Sequence, residues 1–458
     1  MTNWKRRRID RRTLWAAACC LCMATTTATT AADTPAEKIR PLTDDVELRM
    51  TFAIDSLCRI IDPRHTLDAF WKDLLALRTS QGKDAVLPIV HLGDSHIQGG
   101  YYSNETMNLL RRTFGNAGRG WIAPYRPARE NGPSDYRIFS GVKSWSVGRC
   151  TRPQAPTPWG IGGMGLQTDA EEIDFTITLN GSDDAFNRAL LYRGEYARPM
   201  ETEEVRGARA AWGTDTLAPN LVIDTFSLPT PTRELRLHSV DRSEAPSTAS
   251  PYDLYYGFVL TNGQPGVLYH AIGRNGATYV SYTNDDFVRQ LALLKPRILI
   301  ITLGTNESFG NRFSPSDFIA RVDRFVRLVR KYMPSTTIIL STPAENYLPT
   351  RTVVTRRVKG KRGRKRRVVR TVTRGYVRNE HVGEASQAIL NYARREGLAC
   401  FDLYGMTGGA GSCEKWQGEG LFSHDRVHYS VAGYREQGRL LYKALVRSAL
   451  DYQKRNRK

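Results

Sequence analysis

Four short apolar runs, each followed by a stretch with helical spacing, limit what this 458-residue chain can fold into. The runs are Val86 to Leu92, Arg297 to Leu303, Thr337 to Leu340 and Ala399 to Leu403, and the helical stretches are 98–113, 317–332, 381–396 and 432–450. Runs so short and continuous suit strands buried on both faces. Strand–helix alternation then selects a parallel sheet with helices on both sides. Phe287 to Leu294 predicts a further helix, and Leu48, Phe52, Ile54, Leu57 and Leu67 to Leu77 predict helices within 43–80.

Between 126 and 265 the texture changes. Short β-rich runs (Ile173 to Leu179, Ala189 to Tyr192, Leu221 to Leu228, Glu234 to Val240, Leu254 to Leu260) are separated by Gly, Pro, Asn and Asp clusters. That spacing predicts an all-β sandwich inserted into the α/β chain. The expected organisation is a signal peptide at 1–32, a first α/β part at 33–125, the insert at 126–265 and a second α/β part at 266–458. Of the insert's aromatics (Trp145, Trp159, Trp212, Tyr192, Tyr196, Tyr255, Tyr256), most should be sandwich core and the rest a platform on which sugars stack.

The first residues have the form of an export signal: six Lys or Arg within 5–12, the apolar stretch Leu14 to Ala24, and small residues from Ala28 to Ala32. The apolar stretch is too short to span a bilayer as a helix, and no other segment is apolar enough. The expected location is therefore periplasmic or extracellular. Cys58, Cys150, Cys400 and Cys413 follow the signal; an oxidising compartment admits one or two disulfides, with three full pairings open. After the signal, no Cys-x-x-Cys or His-x-x-His spacing suggests a metal site.

A net charge of +20 suggests nucleic acid until it is located. The signal carries +5, and residues 351–378 hold 13 Lys or Arg and no acid, which leaves the remainder at +2. The basicity belongs to one tract, so no nucleic-acid partner is expected. Within the tract, Thr352-Val353-Val354 and Val368 to Thr373 flank Gly360-Lys361-Arg362-Gly363, which reads as a protruding hairpin. Such a hairpin is a solvated surface insertion or a site for an anionic cell-envelope polymer. Replacing 351–378 is then expected to spare hydrolysis of a small ester.

Three loops carry candidate chemistry. Ser95, in Gly93-Asp94-Ser95-His96, stands where a buried strand ends, the usual place for ligand chemistry in an open α/β sheet. Asn306, in Gly304-Thr305-Asn306-Glu307, also follows a strand and can aim its amide N–H at a developing oxyanion. Asp425-Arg426-Val427-His428 precedes the last helix. Its spacing lets the carboxylate reach His428 Nδ1 and leave Nε2 free as a base. Gln98 and Asn116, near Ser95 in sequence, are candidate pocket residues. His91, His238, His270 and His381 read as structural.

As a set, these blocks with Gly276 resemble the four signature blocks of the SGNH/GDSL hydrolases, with His96 and Glu307 standing where many members have leucine and aspartate. The resemblance implies a flavodoxin-like three-layer α/β/α fold and acyl ester hydrolysis without a cofactor. By the same match Ser95 is the nucleophile, His428 the base and Asp425 its orienting group. The Ser95 and Gly276 backbone N–H groups and the Asn306 side chain would form the oxyanion hole. A narrower resemblance is to bacterial peptidoglycan O-acetylesterases, on the Gly-Asp-Ser-His block, the inserted β-sandwich, Phe401 to Gly409 and Trp416. It implies an O-acetylated glycan as substrate. Acetyl-xylan esterase, acyltransferase and non-enzymatic glycan-binding readings share these features.

Overall fold

The computed structural model describes residues 41–458 apart from 182–183, 203–208, 216–217, 242, 244–250, 311, 359–366 and 458. The export-type segment 1–32 and the hairpin tip Gly360 to Gly363 lie outside the described residues.

The apolar runs assemble into a six-stranded sheet in the order Ile60–Ile61, Ala399–Phe401, Thr337–Ser341, Ile298–Thr302, Val86–Gly93 and Gly266–Gly273. The last five are parallel, and Ile60–Ile61 pairs antiparallel with Ala399–Phe401. Numbered along the chain from Val86, the parallel strands run 2-1-3-4-5, the flavodoxin-like order. Gly266–Gly273 is a strand that the apolar-run criterion misses, because two glycines and His270 dilute its pattern.

Side chains along each strand alternate between two cores. Val90, Leu92, Leu299 and Ile301 face the helices Asp285–Ala292, Pro315–Tyr332 and His381–Glu396. Leu87, Ile89, Ile298 and Ile300 face Tyr101–Phe114 and Val431–Arg455. These helices start where the chain offers caps: Asn284, Ser314 (followed by Pro315) and Ser430 each accept a hydrogen bond from a first-turn backbone N–H.

The N-terminal part corrects the helical expectation. Residues 41–54 form no helix, and the only helix longer than one turn within 43–80 is Asp68–Ala76. Leu42, Val46, Leu48, Met50 and Phe52 are the inward positions of an extended strap, a period of two rather than 3.6. The strap is held by its backbone: Arg49 and Met50 both donate N–H to the buried Glu436 carboxylate, at 2.8 and 3.2 Å.

The β-rich region forms two antiparallel sheets of seven and four strands. Gly120–Ile122 already pairs with Asp253–Thr261 in the larger sheet, ahead of residue 126. Trp145, Phe175 and Tyr255 pack ring against ring between the sheets, and Tyr192 is buried against Trp121. Trp159, Tyr196 and Tyr256 line a cleft instead, and the side chain of Trp212 lies outside the described ones. Cys58, Cys150, Cys400 and Cys413 are four separate buried thiols, so none of the disulfide pairings forms. Among the described residues no helix is long and apolar enough to cross a membrane.

Candidate active site

In a 2-1-3-4-5 sheet the chain order reverses between strands 1 and 3, and a crevice opens beyond their C-terminal ends. Here those strands are Val86–Gly93 and Ile298–Thr302, and the loops after them carry Ser95 and Asn306. Gly93 has no room for a side chain: a Cβ there would meet Ile97 and the Thr302 carbonyl below 3.0 Å. Asp94 caps the one-turn helix Ser95–Gln98 by accepting the His96 N–H at 2.9 Å. That turn holds Ser95 at a helix start, where backbone N–H groups have no intrahelical partner.

Across the crevice, Asp425 accepts the backbone N–H groups of Val427 and His428 at 3.0 and 2.9 Å, which folds the loop back on itself. Its other oxygen lies 2.7 Å from His428 Nδ1, and His428 Nε2 lies 2.9 Å from Ser95 Oγ. The three side chains thus form one hydrogen-bonded chain. Burial works against the Asp425 charge, but the hydrogen bonds from His428 and Val427 outweigh it and hold the carboxyl below its ordinary range.

Ser95, Gly276, Asn306, Asp425 and His428 line one cavity of about 540 Å³, with Asn131, Asn275, Tyr101, Phe309 and Tyr434. Gly276 sits at φ +76° with nothing within 4 Å of where a Cβ would stand. Gly273 is different: it ends a strand, and a Cβ there would strike Gln98 N at 2.3 Å. Asn306 Nδ2 donates to Asp94 Oδ2 at 3.1 Å and to the Ala277 carbonyl at 3.0 Å. Behind Asn306, Glu307 accepts the Tyr279 N–H at 2.7 Å. Burial pushes Asp94 up to about 8, with the Glu307 charge adding to it, and burial pushes Glu307 up to about 7.

Two candidate pocket residues fall elsewhere. Gln98 is buried one layer behind the cavity, where its amide ties Asn275 N–H (2.7 Å) to the Asn131 carbonyl (2.8 Å). Asn116 lies at the far end of the sheet, bridged to Val267. Val267 is six residues before Gly273, roughly 20 Å at strand rise. Nearness in sequence misleads here because the helix Tyr101–Phe114 carries the chain away from Ser95.

The basic tract also departs from expectation. Its strands are longer than the β-rich arms, Tyr347–Val358 and Arg367–Arg378, and their root grips the loop of Asp425 and His428. Tyr347 N–H donates to the Arg426 carbonyl at 3.0 Å. The Arg426 guanidinium lies between the rings of Tyr347 (5.6 Å) and Tyr376 (4.5 Å). Arg426 also holds a left-handed φ of +57°. Because Tyr376 falls within 351–378, replacing that whole segment removes part of the grip.

A family model described as GDSL-like lipase/acylhydrolase matches residues 243–436. That span, under half of the chain, is similar to the SGNH/GDSL hydrolases, and the match supports a carboxylic ester hydrolase. The matched span holds Gly276, Asn306, Asp425 and His428, whereas Ser95 precedes it, on the other side of the inserted β-sheets. No curated protein matches. Among solved structures, a peptidoglycan O-acetylesterase is 20% identical, with a TM-score of 0.64, over 86% of this chain and 99% of the other. A GDSL-like lipase from Bacteroides thetaiotaomicron (15% identical, 40% of this chain and 76% of the other, TM-score 0.27) and a family 3 carbohydrate esterase from Talaromyces cellulolyticus (12%, 42% and 75%, 0.26) also match.

The sequence reading missed Asn131, Asn275, Tyr101, Phe309 and Tyr434 as cavity residues. Asn131 comes from the β-rich region, and no local pattern announces that its loop folds over Ser95. His96 is buried, bonds Tyr434 Oη through Nδ1 at 3.0 Å, and lies with its ring 5.3 Å from that of His428. Burial, with the nearby His428, drives its pKa down to about 3. Among the described residues no cluster of three or more His, Cys, Asp or Glu is arranged to hold a metal ion.

Proposed function

We propose that the chain is an exported carbohydrate O-acetylesterase of the cell envelope, with O-acetylated peptidoglycan as substrate. The observation that carries this reading is the chain Ser95 Oγ–His428 Nε2–Asp425, opening into a cavity lined by three asparagines. His428 Nε2 takes the Ser95 proton as Oγ attacks the acetyl carbonyl, and Asp425 keeps Nδ1–H pointed at itself. The oxyanion is held by the Ser95 and Gly276 backbone N–H groups and one Asn306 Nδ2–H, a proton now shared with the Ala277 carbonyl. His428 gives the proton taken from Ser95 to the sugar oxygen as the acyl–oxygen bond breaks, so the sugar leaves as a hydroxyl. Water, deprotonated by the same Nε2, then attacks the acetyl carbon, and Nε2 returns the proton to Ser95 Oγ as acetate leaves.

The glycan is supported by the amide-rich cavity and by the likeness, over 86% of the chain, to a solved peptidoglycan O-acetylesterase. Export is supported by the signal-like start at 1–32. The same reading makes residues 126–265 an inserted module between two hydrolase parts, 33–125 and 266–458. The basic hairpin, whose exposed arms include Arg351, Arg356 and Arg370, then keeps anionic wall polymer near the crevice.

The test is acetate release by the purified protein and by Ser95→Ala from O-acetylated peptidoglycan and from acetyl-xylan. We expect release from peptidoglycan to exceed that from xylan, and Ser95→Ala to lose at least roughly 10³-fold in rate. Faster release from xylan reassigns the substrate, and acetyl transfer to an added oligosaccharide in place of free acetate reassigns the reaction. Activity retained by Ser95→Ala removes the nucleophile assignment.

A further inference from the structure

A second cleft lies at the seam between the larger β-sheet and the hydrolase helix Asp285–Ala292. Its volume is about 290 Å³, and Trp159, Tyr196, Tyr252, Tyr256, Asp286 and Gln290 are among its lining residues. It shares no residue with the cavity at Ser95. The two nevertheless hang on one stretch of chain after Gly266–Gly273, since Gly276 lines one and Asp286 the other.

The cleft is built rather than incidental. Tyr196 and Tyr252 are half exposed (54% and 50%) and line the same cleft. The turn bearing Tyr196 is pinned by two buried arginines. Arg193 Nη1 donates to the Ala197 carbonyl at 2.6 Å, and Arg198 pairs with the carboxylate of Asp253, the neighbour of Tyr252. The Arg198–Asp253 pair therefore fixes the two rings relative to each other, in a solvent-excluded setting where such a pair is rigid. On the other wall, Trp159 packs on Phe287 at 5.8 Å, and Gln290 Oε1 accepts the Ile161 N–H at 2.6 Å. Gly160 lets these walls meet: a Cβ there would strike Gln290 Oε1 at 2.4 Å and the Tyr256 ring at 2.8 Å.

The chemistry of the lining selects a ligand class. Aromatic faces accept the C–H face of a pyranose, while carboxylates and amides (Glu195, Asp286, Gln167, Asn220) take its hydroxyls. Among the described residues no Lys, Arg or His lines the cleft, and two carboxylates do, so a polyanionic stretch is disfavoured and an uncharged sugar fits. We propose that this cleft is a second saccharide site, one that binds an uncharged sugar unit of a polymer without cleaving or deacylating it. Naming that polymer as the substrate of the Ser95 site rests on the function proposed above; the saccharide class does not. Rigid aromatics give such a site affinity at little ordering cost.

The test uses the full chain, calorimetric titration with the unmodified tetrasaccharides of β-1,4-linked N-acetylglucosamine and of xylose, and p-nitrophenyl acetate as the basal substrate. We expect at least one tetrasaccharide to bind. Tyr196→Ala combined with Tyr252→Ala should weaken it about tenfold or more, with p-nitrophenyl acetate hydrolysis unchanged. Asp286→Ala, on an exposed side chain, should weaken it in the same direction. Equal affinity in the parent and both variants overturns the proposal, as does binding of choline with no binding of either sugar. Failure of the glycan reading at Ser95 looks different: no acetate is released from any glycan, yet the tetrasaccharide still binds and the cleft stands.

Discussion

Asn306 makes the residue scale concrete. An amide side chain becomes an oxyanion donor only if something holds it facing the crevice. Here its Nδ2 is held by Asp94 Oδ2 at 3.1 Å, while the other Asp94 oxygen caps the turn that carries Ser95. One buried carboxyl thus positions both the Ser95 turn and the amide. Asn306→Ala should lower turnover by about 10²–10³ with little change in KM. Asp94→Asn puts an NH₂ where one of two donors expects an acceptor, so one hydrogen bond must break. We expect roughly tenfold lower kcat at unchanged KM, the size of one hydrogen bond's worth of positioning. A shift confined to KM in steady-state kinetics would place both residues in substrate binding instead.

At the scale of elements, the hairpin Tyr347–Arg378 does two separable things. Its arms project, and its root holds the Asp425–His428 loop through the Arg426 side chain between Tyr347 and Tyr376. An exposed cation–π contact is worth about 0.5–1 kcal/mol, so Tyr376→Ala should cost roughly two- to fivefold in kcat on p-nitrophenyl acetate. Exchanging only 356–370 for a short Gly/Ser link keeps the Tyr347–Arg378 and Pro349–Tyr376 pairs of the root and should leave that rate unchanged. The same exchange should slow release from anionic wall material, and added salt should slow the parent likewise. Equal rates for the short exchange and a full 351–378 exchange on the small ester would show that the root contributes nothing.

For the whole molecule, the buried titrating groups set a pH optimum of stability. Burial drives His91, His96 and His270 down to about 3, so each is neutral when folded but protonated when unfolded below about 6.5. Their contribution is lost as pH falls from about 6.5 toward 3. Asp94 runs the other way: raised to about 8 by burial, it keeps its proton in the folded state across a window where the unfolded chain has released it. Its contribution is lost as pH rises from about 4 toward 8. Above 6.5 the histidines no longer oppose it. The thermal midpoint should therefore be highest near pH 6.5 and fall toward pH 8, and Asp94→Asn should flatten that alkaline decline. A decline equally steep in Asp94→Asn would assign it to other groups.

The sequence by itself determined four of the five parallel strands, because a continuous apolar run admits no surface, and the loops after them, because glycine and short polar residues end such runs. It also singled out Ser95, Asn306, Asp425 and His428 from short local blocks, and the Asp425–His428 hydrogen bond, which spans only three residues, was legible there too. Other features came only with the tertiary structure. The 41–54 strap has apolar residues whose spacing fits two periods, and the extended one wins because Glu436 takes its backbone N–H groups. Asn131 reaches the crevice, and Asn116 is carried away from it, through packing between segments distant in sequence. The four cysteines stay apart for the same reason, each buried as a free thiol. Composition located the hairpin's charge, yet its grip on Arg426 depends on two tyrosines from opposite strands reaching one guanidinium. Contacts of that kind follow from where the chain's elements dock, and docking is decided by the whole core at once.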